Sequence, residues 1–372
     1  MLHLCLCFTD SSGTYYKHAL VSLVSVFEHT QSHICAHIIS DGTFTEDKKE
    51  IFIAACEKYN QKLQFHSLED IPETIYRNIP KNFGKGSLFR LFIPEVIQEE
   101  KVLYIDCDII CQLDVKDVFN INIDDACIGA VLDSAVEDEE LSFGYVEKIG
   151  IEPSHYINSG ILLLNNKRLR GEFPDLKDAV LSIVSQVTLR FPDQDALNYL
   201  FPLRSGSLIP PLSRKRYRER LFEKTKYRAC KTHQTESIRK RNGKIFLMPA
   251  EYNYPTWPME RGYYPLSHYK NKIIHFTCKK PWTALYPAAL LYWKHYFQLF
   301  PMEEAFDTLE GLELHKFTPL FHLLMKDEKA RRWFSRLHEI SSQGLIETVM
   351  DRLIPSRRRN KRQTVQSYKK YL

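Results

Sequence analysis

No apolar run in this chain approaches the roughly 18 residues needed to cross a bilayer, so a transmembrane segment is not expected. Met1–Phe8 is too short for a secretory leader and lacks its basic start. No two cysteines stand as Cys-x-x-Cys, and zinc-ribbon spacing is missing. The nine cysteines, at 5, 7, 35, 56, 107, 111, 127, 230 and 278, are odd in number and scattered, several of them inside apolar runs. That distribution argues against a disulfide framework and for a reduced, cytoplasmic protein with buried thiols. The chain has no internal repeat, and its only low-complexity piece is 357–362. A basic motif interleaved with aromatics, as in RNA-recognition modules, is also missing, so nucleic acid is not an expected partner.

What is present is an ordinary globular composition: 372 residues, 44% hydrophobic and 26% charged. That length suits one large α/β domain plus an appendage, or two domains. The net charge of +5 hides a segregation. Residues 212–241 hold twelve Lys/Arg against three acids, and 331–372 hold eleven against three. The remainder has 28 basic against 40 acidic residues, so an acidic body carries two basic segments. Such asymmetry points to an anionic partner: a membrane surface, a nucleic acid or a phosphorylated substrate. Solvated helix faces account for 212–241 equally well.

Along the chain, Leu2–Phe8 reads as a buried strand and Tyr15–His29 as a helix with Leu20, Leu23, Val24 and Phe27 on one face. Ile34–Ile39 is a second strand, closed by the turn pair Asp41-Gly42. Thr45–Tyr59 reads as a helix that Thr45 can cap, with Lys48 and Lys49 toward water and Ile51, Phe52 and Ala55 inward. Lys62–His66 is a shorter strand. This alternation predicts a mostly parallel sheet covered by helices, with binding at the carboxyl ends of the strands. A helix presenting Arg90 is expected within Gly84–Ile97, and strands at Ala126–Leu132, Tyr156–Asn165, Lys244–Met248 and Lys272–Phe276. An acidic loop is expected at Val136–Glu140, helices at 175–189 and 194–200, and a helical region from Trp282 to about Ile354.

The most informative stretch is Lys101–Cys111. Val102–Ile105 is apolar and β-rich, and Asp106 and Asp108 follow it. If the backbone stays extended there, a period of two puts both carboxylates on one face. Two like charges on one face call for a cation, and hard oxygen ligands at a strand end suit Mg²⁺ or Mn²⁺ holding a phosphate.

Five motifs in order, Phe8-Thr9-Asp10, Asp106-Cys107-Asp108, Asn158-Ser159-Gly160, Asp193-Gln194-Asp195-Ala196-Leu197-Asn198 and His275 to Trp282, resemble the retaining glycosyltransferases of family 8. That group includes glycogenin, galactinol synthase and bacterial lipopolysaccharide galactosyl- and glucosyltransferases. The resemblance covers about 1–282 and implies a GT-A fold, an α/β architecture with a Rossmann-like sheet. It also implies a UDP-hexose donor and His275 as a third metal ligand beside Asp106 and Asp108, a set that fits Mn²⁺ somewhat better than Mg²⁺. On the residues alone, His275 also reads as a core histidine. By the same resemblance Asp10 reads the uracil edge, and Arg90 lies near the donor sugar and diphosphate. Asn158 and Ser159 touch the sugar, and Asp193 and Gln194 sit near the anomeric carbon as catalytic candidates. Lys280 binds diphosphate. Phe8, Thr9 and Cys107 fall inside the matching motifs and are counted with the donor-binding residues. Other readings remain for several: Asp10 as the start of the turn to Gly13, Arg90 as a surface arginine, and Asp193 and Gln194 as the first turn of a helix after Pro192. Cys278 replaces the family's usual glycine in a shorter loop, so Lys279 is an alternative to Lys280.

Two domains follow from this reading: 1–282 catalytic, with a basic insertion at 203–243, and 283–372 a helical basic appendage. The expected partners are the UDP-sugar, a glycan acceptor that is lipid-linked like lipopolysaccharide core, and an anionic membrane surface at the cytoplasmic face. A protein acceptor, as in glycogenin, is the alternative. From other classes, a HAD-type phosphatase also places Asp-x-Asp after an apolar strand, and a non-catalytic nucleotide-sugar or anion binder would use the basic segments.

Overall fold

In the computed structural model the described residues are 1–68, 80, 83–133, 146, 155–174, 176, 178–180, 183, 189–201, 245–256, 266–277, 279–283 and 288–300. The expected loop at Val136–Glu140, most of the helix at 175–189, the basic 203–243 and everything beyond residue 300 lie outside them. Chain contacts divide the molecule into two units, Met1–Pro258 with Asn271–Cys278, and Met259–Lys270 with Lys279–Leu372.

The first unit is built on β1 (Leu2–Cys7), β2 (Ile34–Ser40), β3 (Lys62–Ser67), β4 (Lys101–Ile105), β6 (Ile128–Leu132), β7 (Ile157–Asn165) and β8 (Ile245–Leu247), in spatial order β3-β2-β1-β4-β7-β6-β8. β3, β2, β1 and β4 are parallel, β7 runs antiparallel to both β4 and β6, and β8 is parallel to β6. The sheet is therefore mixed on one side, and the start of β7 lies beside the end of β4. β2 is buried at every residue, as its run of Ile34, Ile38 and Ile39 requires, while β3 alternates at the edge. A second sheet of three strands, β5 (Ile109–Cys111), β10 (Ile273–His275) and β9 (Tyr254–Pro255), stands beside it.

Helix α1 (Tyr15–Phe27) is buried from Tyr16 to Phe27, not on one face only. The reason is that it also packs against β5: the Ser22 hydroxyl donates to the Cys107 carbonyl at 2.7 Å and lies 3.0 Å from that of Ile109. Ser25 Oγ accepts from the Cys111 N–H at 2.9 Å. Two buried serines thus tie the helix to the segment that carries the paired aspartates. Helix α2 (Glu46–Lys58) starts at Thr45, but the Thr45 side chain makes no capping bond to the backbone. Lys48 does not face water either. It turns inward onto Asp10, with the side chain only 16% exposed.

The segment before β4 is a 3-10 helix, Lys85–Phe92, followed by a single α turn, Ile93–Val96, in place of one regular helix. Gly86 lets it approach: a Cβ there would fall 2.7 Å from the Thr9 nitrogen. Its Leu88, Phe89 and Phe92 join Tyr104, Ile128, Leu162 and Leu164 in the apolar core under the sheet. The seven described cysteines are buried and outside disulfides. Among the described residues no helix is long and apolar enough to cross a membrane. In the second unit, helix Ala289–Leu299 carries Tyr292, Trp293 and Tyr296 in mutual ring contact, and Trp293 Nε1 donates to the Pro281 carbonyl at 3.0 Å.

Candidate active site

β4 ends at Ile105, and the chain then turns at Cys107-Asp108 into β5, which leaves the large sheet for the small one. The two aspartates are therefore not on one continuous extended strand. They converge because β5 pairs antiparallel with β10, which sets Ile109 opposite His275. His275 Nε2 lies 3.5 Å from Asp106 Oδ2 and 3.3 Å from Asp108 Oδ1. Gly160 makes this possible. A Cβ there would sit 2.2 Å from His275 Cε1 and 2.9 Å from Asp106 Oδ2. Its missing side chain makes room for the histidine.

The histidine is oriented from behind. Asn253 Nδ2 donates to Asn158 Oδ1 at 2.7 Å, which leaves Asn253 Oδ1 facing His275 Nδ1 at 2.9 Å. Nδ1 then donates to Asn253, which leaves Nε2 turned toward the two carboxylates. Three electron-rich atoms within 4.8 Å of one another form a donor set that a divalent cation satisfies. The core-histidine alternative does not explain why the ring faces two acids.

Arg90 is a cation beside these acids, and it is shared. Its guanidinium pairs with Asp106 at 2.9 Å and Asp193 at 3.2 Å, donates to the Ser159 carbonyl at 3.0 Å, and stacks on Tyr104. Burial pulls its pKa down, but Asp106 and Asp193 more than offset this and hold it above the ordinary arginine value. Asp106 is pushed above the usual carboxylate range, first by burial and then by Asp108. Arg90, His275 and a bond from the Tyr104 hydroxyl offset only part of that. Arg90 is thus a buried member of the site and not a surface arginine.

Asn158, Ser159 and Gly160 lie inside β7, at its amino end. Helix Pro192–Leu200 is fastened to that end by Asn198, which accepts from the Ile157 N–H at 2.8 Å and donates to the Ile157 carbonyl at 2.8 Å. Asp195 instead accepts from the Arg190 and Phe191 amides at the helix start. The two remaining polar positions, Asp193 and Gln194, therefore face Ser159. The Ser159 hydroxyl donates to Asp193 at 2.6 Å, and Gln194 Oε1 accepts from the Ser159 N–H at 3.1 Å. Gln194 Nε2 donates to Asp133 Oδ2 at 2.8 Å, which also accepts from Asn158 Nδ2 at 3.1 Å. Asp133 and Asn253 were not among the sequence candidates. An acid directly after a buried strand was a usable signal for Asp133, and nothing local marks Asn253.

Asp10 is placed differently. Its carbonyl accepts from Gly13, whose φ of +75° closes the turn. One carboxylate oxygen accepts from the Tyr16 N–H at 3.2 Å, and the other is paired with Lys48 at 2.5 Å. The backbone makes the turn that the second reading expected, while the carboxylate is paired with Lys48. Phe8 is buried among Phe44 and Phe52, so only its backbone can serve a ligand. Thr9 is half-buried beside Gly84 and Gly86. Burial pushes the Cys107 thiol well up, which leaves it a neutral, packed side chain. Lys279 and Lys280 belong to the second unit, where the Lys280 carbonyl accepts from the Thr283 N–H at 2.9 Å.

Known proteins share this arrangement of elements. Over 192 residues the chain is 26% identical to the lipopolysaccharide glucosyltransferase WaaO of Escherichia coli, covering 48% of this chain and 54% of that protein. It is 28% identical to a putative glycosyltransferase of Haemophilus influenzae over 50% of this chain and 57% of that one. The chain thus spans a little over half the length of these curated relatives. Among solved structures, the galactosyltransferase LgtC in complex with donor and acceptor sugar analogues superposes with a TM-score of 0.58. That likeness holds at 19% identity over 82% of this chain and 99% of that one, and is one of fold. The profile of glycosyl transferase family 8 matches residues 6–285, which displaces the phosphatase reading and shows that the chain belongs to that family of glycosyltransferases.

Proposed function

We propose that the protein transfers a hexose, galactose or glucose, from a UDP-sugar to a lipid-linked oligosaccharide such as lipopolysaccharide core, with retention of anomeric configuration. The observation that carries this is the convergence of Asp106, Asp108 and His275 beside the Arg90–Ser159–Asp193–Gln194 cluster. A divalent cation held by that Asp-Asp-His set, Mn²⁺ before Mg²⁺, supplies electrostatic stabilisation to a departing diphosphate. Asp193 and Ser159, held by Arg90, form a rigid polar wall for the donor's hydroxyls, and fixed dipoles of this kind lower the barrier by positioning. The Gln194 amide is bonded at both ends, to Ser159 and Asp133. It therefore acts by orientation and not as a nucleophile, which favours attack of the acceptor on the same face as the leaving group, with the leaving phosphate taking the acceptor's proton. Asp10 is assigned to the uracil edge and Lys280 to the diphosphate. Two bodies, 1–282 catalytic and 283–372 basic, remain the proposed domain division.

The lipid-linked acceptor rests on the name of the Escherichia coli relative and on the basic C-terminal sequence. Residues 355–372 hold seven Lys/Arg and no acid. At ~1 kcal/mol per basic residue near anionic lipid, they suffice for reversible attachment at the cytoplasmic membrane face. Screening UDP-hexoses for hydrolysis with and without Mn²⁺ tests the donor reading. One donor is cleaved in a metal-dependent way if it is right, and failure with every UDP-hexose removes it. Cosedimentation with anionic vesicles should weaken on deletion of 355–372 while turnover on a short soluble acceptor stays unchanged. Vesicle binding indifferent to the deletion would take the tail out of the membrane contact.

A further inference from the structure

A second cluster of ligating side chains lies on the same sheet, away from the transferase centre. β1 and β2 are parallel with His3 opposite Cys35, so these two share one face, and His37 follows Cys35 by two residues on that face. β3 sets His66 opposite Ile39, again on the same side. His3 Nδ1 is 3.1 Å from His37 Nε2, and His37 Nδ1 is 3.0 Å from His66 Nε2. His3 Nδ1 also lies 3.7 Å from Glu99 Oε1. One atom each from His3, Cys35 and His37 fall within 4.8 Å of one another. Cys35 and His37 are buried, whereas the side chains of His3 and Glu99 are 18% and 29% exposed at the edge.

We propose that His3, Cys35 and His37, completed by Glu99 at the exposed edge, form a zinc site separate from the Asp106–Asp108–His275 set. The donor chemistry decides the metal. A thiolate with two imidazoles and a carboxylate is borderline-soft and suits a tetrahedral Zn²⁺, while two carboxylates and one imidazole suit a harder ion. His66 supplies the outer support that ligating histidines commonly have. With the His37 Nδ1–H donated to His66, the His37 Nε2 lone pair faces His3 Nδ1, and the metal replaces the proton that otherwise bridges that 3.1 Å gap. Burial lowers the His37 pKa to about 4, so the ring is neutral and ready to ligate. The Cys35 thiol is pushed up by burial and must lose its proton as the metal enters. Bound there, the ion would join the amino-terminal halves of β1 and β2 to the turn that precedes β4.

The full chain, reduced and stripped with chelator, would be titrated with Co²⁺ as an optical probe and then with Zn²⁺. The background would be Asp108→Asn with His275→Ala, so that the transferase set cannot take the ion. Expected are tetrahedral cobalt bands with a thiolate charge-transfer band at one equivalent, their loss on adding Zn²⁺, and a Zn²⁺-dependent rise in Tm. Cys35→Ser, nearly isosteric, should abolish the charge-transfer band, and His3→Gln at the edge should weaken affinity on the order of tenfold or more. Circular dichroism checks that each variant is folded. Folded protein that gives no thiolate band, or Cys35→Ser protein that binds as the wild type does, overturns the proposal and leaves a hydrogen-bonded row of imidazoles.

Discussion

Two aspartates, the buried Asp10 and the half-buried Asp106, follow neighbouring parallel strands, and the surroundings of each have opposite character. Each oxygen of Asp10 has a partner: one meets the Tyr16 amide and the other meets Lys48. Asp106 shares Arg90 with Asp193 and faces Asp108 and His275. One guanidinium is divided between two acids, and the Asp106 carboxyl is held above its ordinary range as a result of burial and of Asp108. A balanced pair holds a turn, and an unbalanced one is built for a charge that arrives from outside. His18 deepens the imbalance, since burial lowers its pKa to about 3 despite the pull of Asp108 and it contributes no positive charge there.

The largest effect should come from Asp106→Asn or Asp108→Asn. Transfer should fall on the order of a thousandfold with the fold retained, because electrostatic stabilisation of the leaving group is removed. Turnover near wild type in both variants would erase the distinction between the two aspartates. Gly160→Ala should come next. The new Cβ would overlap His275 and Asp106, and a displacement near 1 Å costs about a hundredfold in turnover. Metal affinity by titration should drop in parallel, as it should in His275→Ala; an unchanged affinity with a collapsed Tm would make His275 a packing residue.

Lys48→Met tests the balanced side. It strands the Asp10 carboxylate, whose side chain is fully buried, and should cost roughly 3 kcal/mol in urea unfolding. The double variant with Asp10→Asn should recover part of that loss, and no recovery would mean the pair is not coupled. The smallest effect concerns His18. Its folded pKa of about 3 lies below the usual histidine value of 6.5, so the stability it contributes is whole above pH 6.5 and is lost as pH falls toward 3. One proton's uptake on unfolding adds a slope of at most about 1.4 kcal/mol per pH unit. Urea midpoints at pH 7 and 5 should lie closer together in His18→Gln than in the wild type, and equal spacing would remove His18 from the acid limb.

Much of the fold was legible because strand burial leaves a local trace. Val102–Ile105 and Ile161–Leu164 are continuous apolar runs and Ile34–Ile39 is one broken only by His37, and each lies in a buried strand. Helix α1 was misjudged as one-sided because its second buried face meets β5, a contact 85 residues away in the chain at Ser22 and Cys107. Lys48 was misjudged for a similar reason: a lysine in a first helical turn normally faces water, and only the fold brings Asp10 against it.

The sequence by itself determined the alternation of strands and helices, the acidic pair after β4, and the family, through five motifs in order. Each of these is a local pattern or an order of local patterns. The tertiary structure alone decided that the aspartates lie on a turn between two sheets, that Gly160 clears space for His275, and that Arg90 is divided between two acids. It also recruited Asp133 and Asn253 and set three histidines side by side across three strands. These are consequences of strand register and of which sheet a segment joins, and that choice rests on contacts dozens of residues apart that no local pattern records.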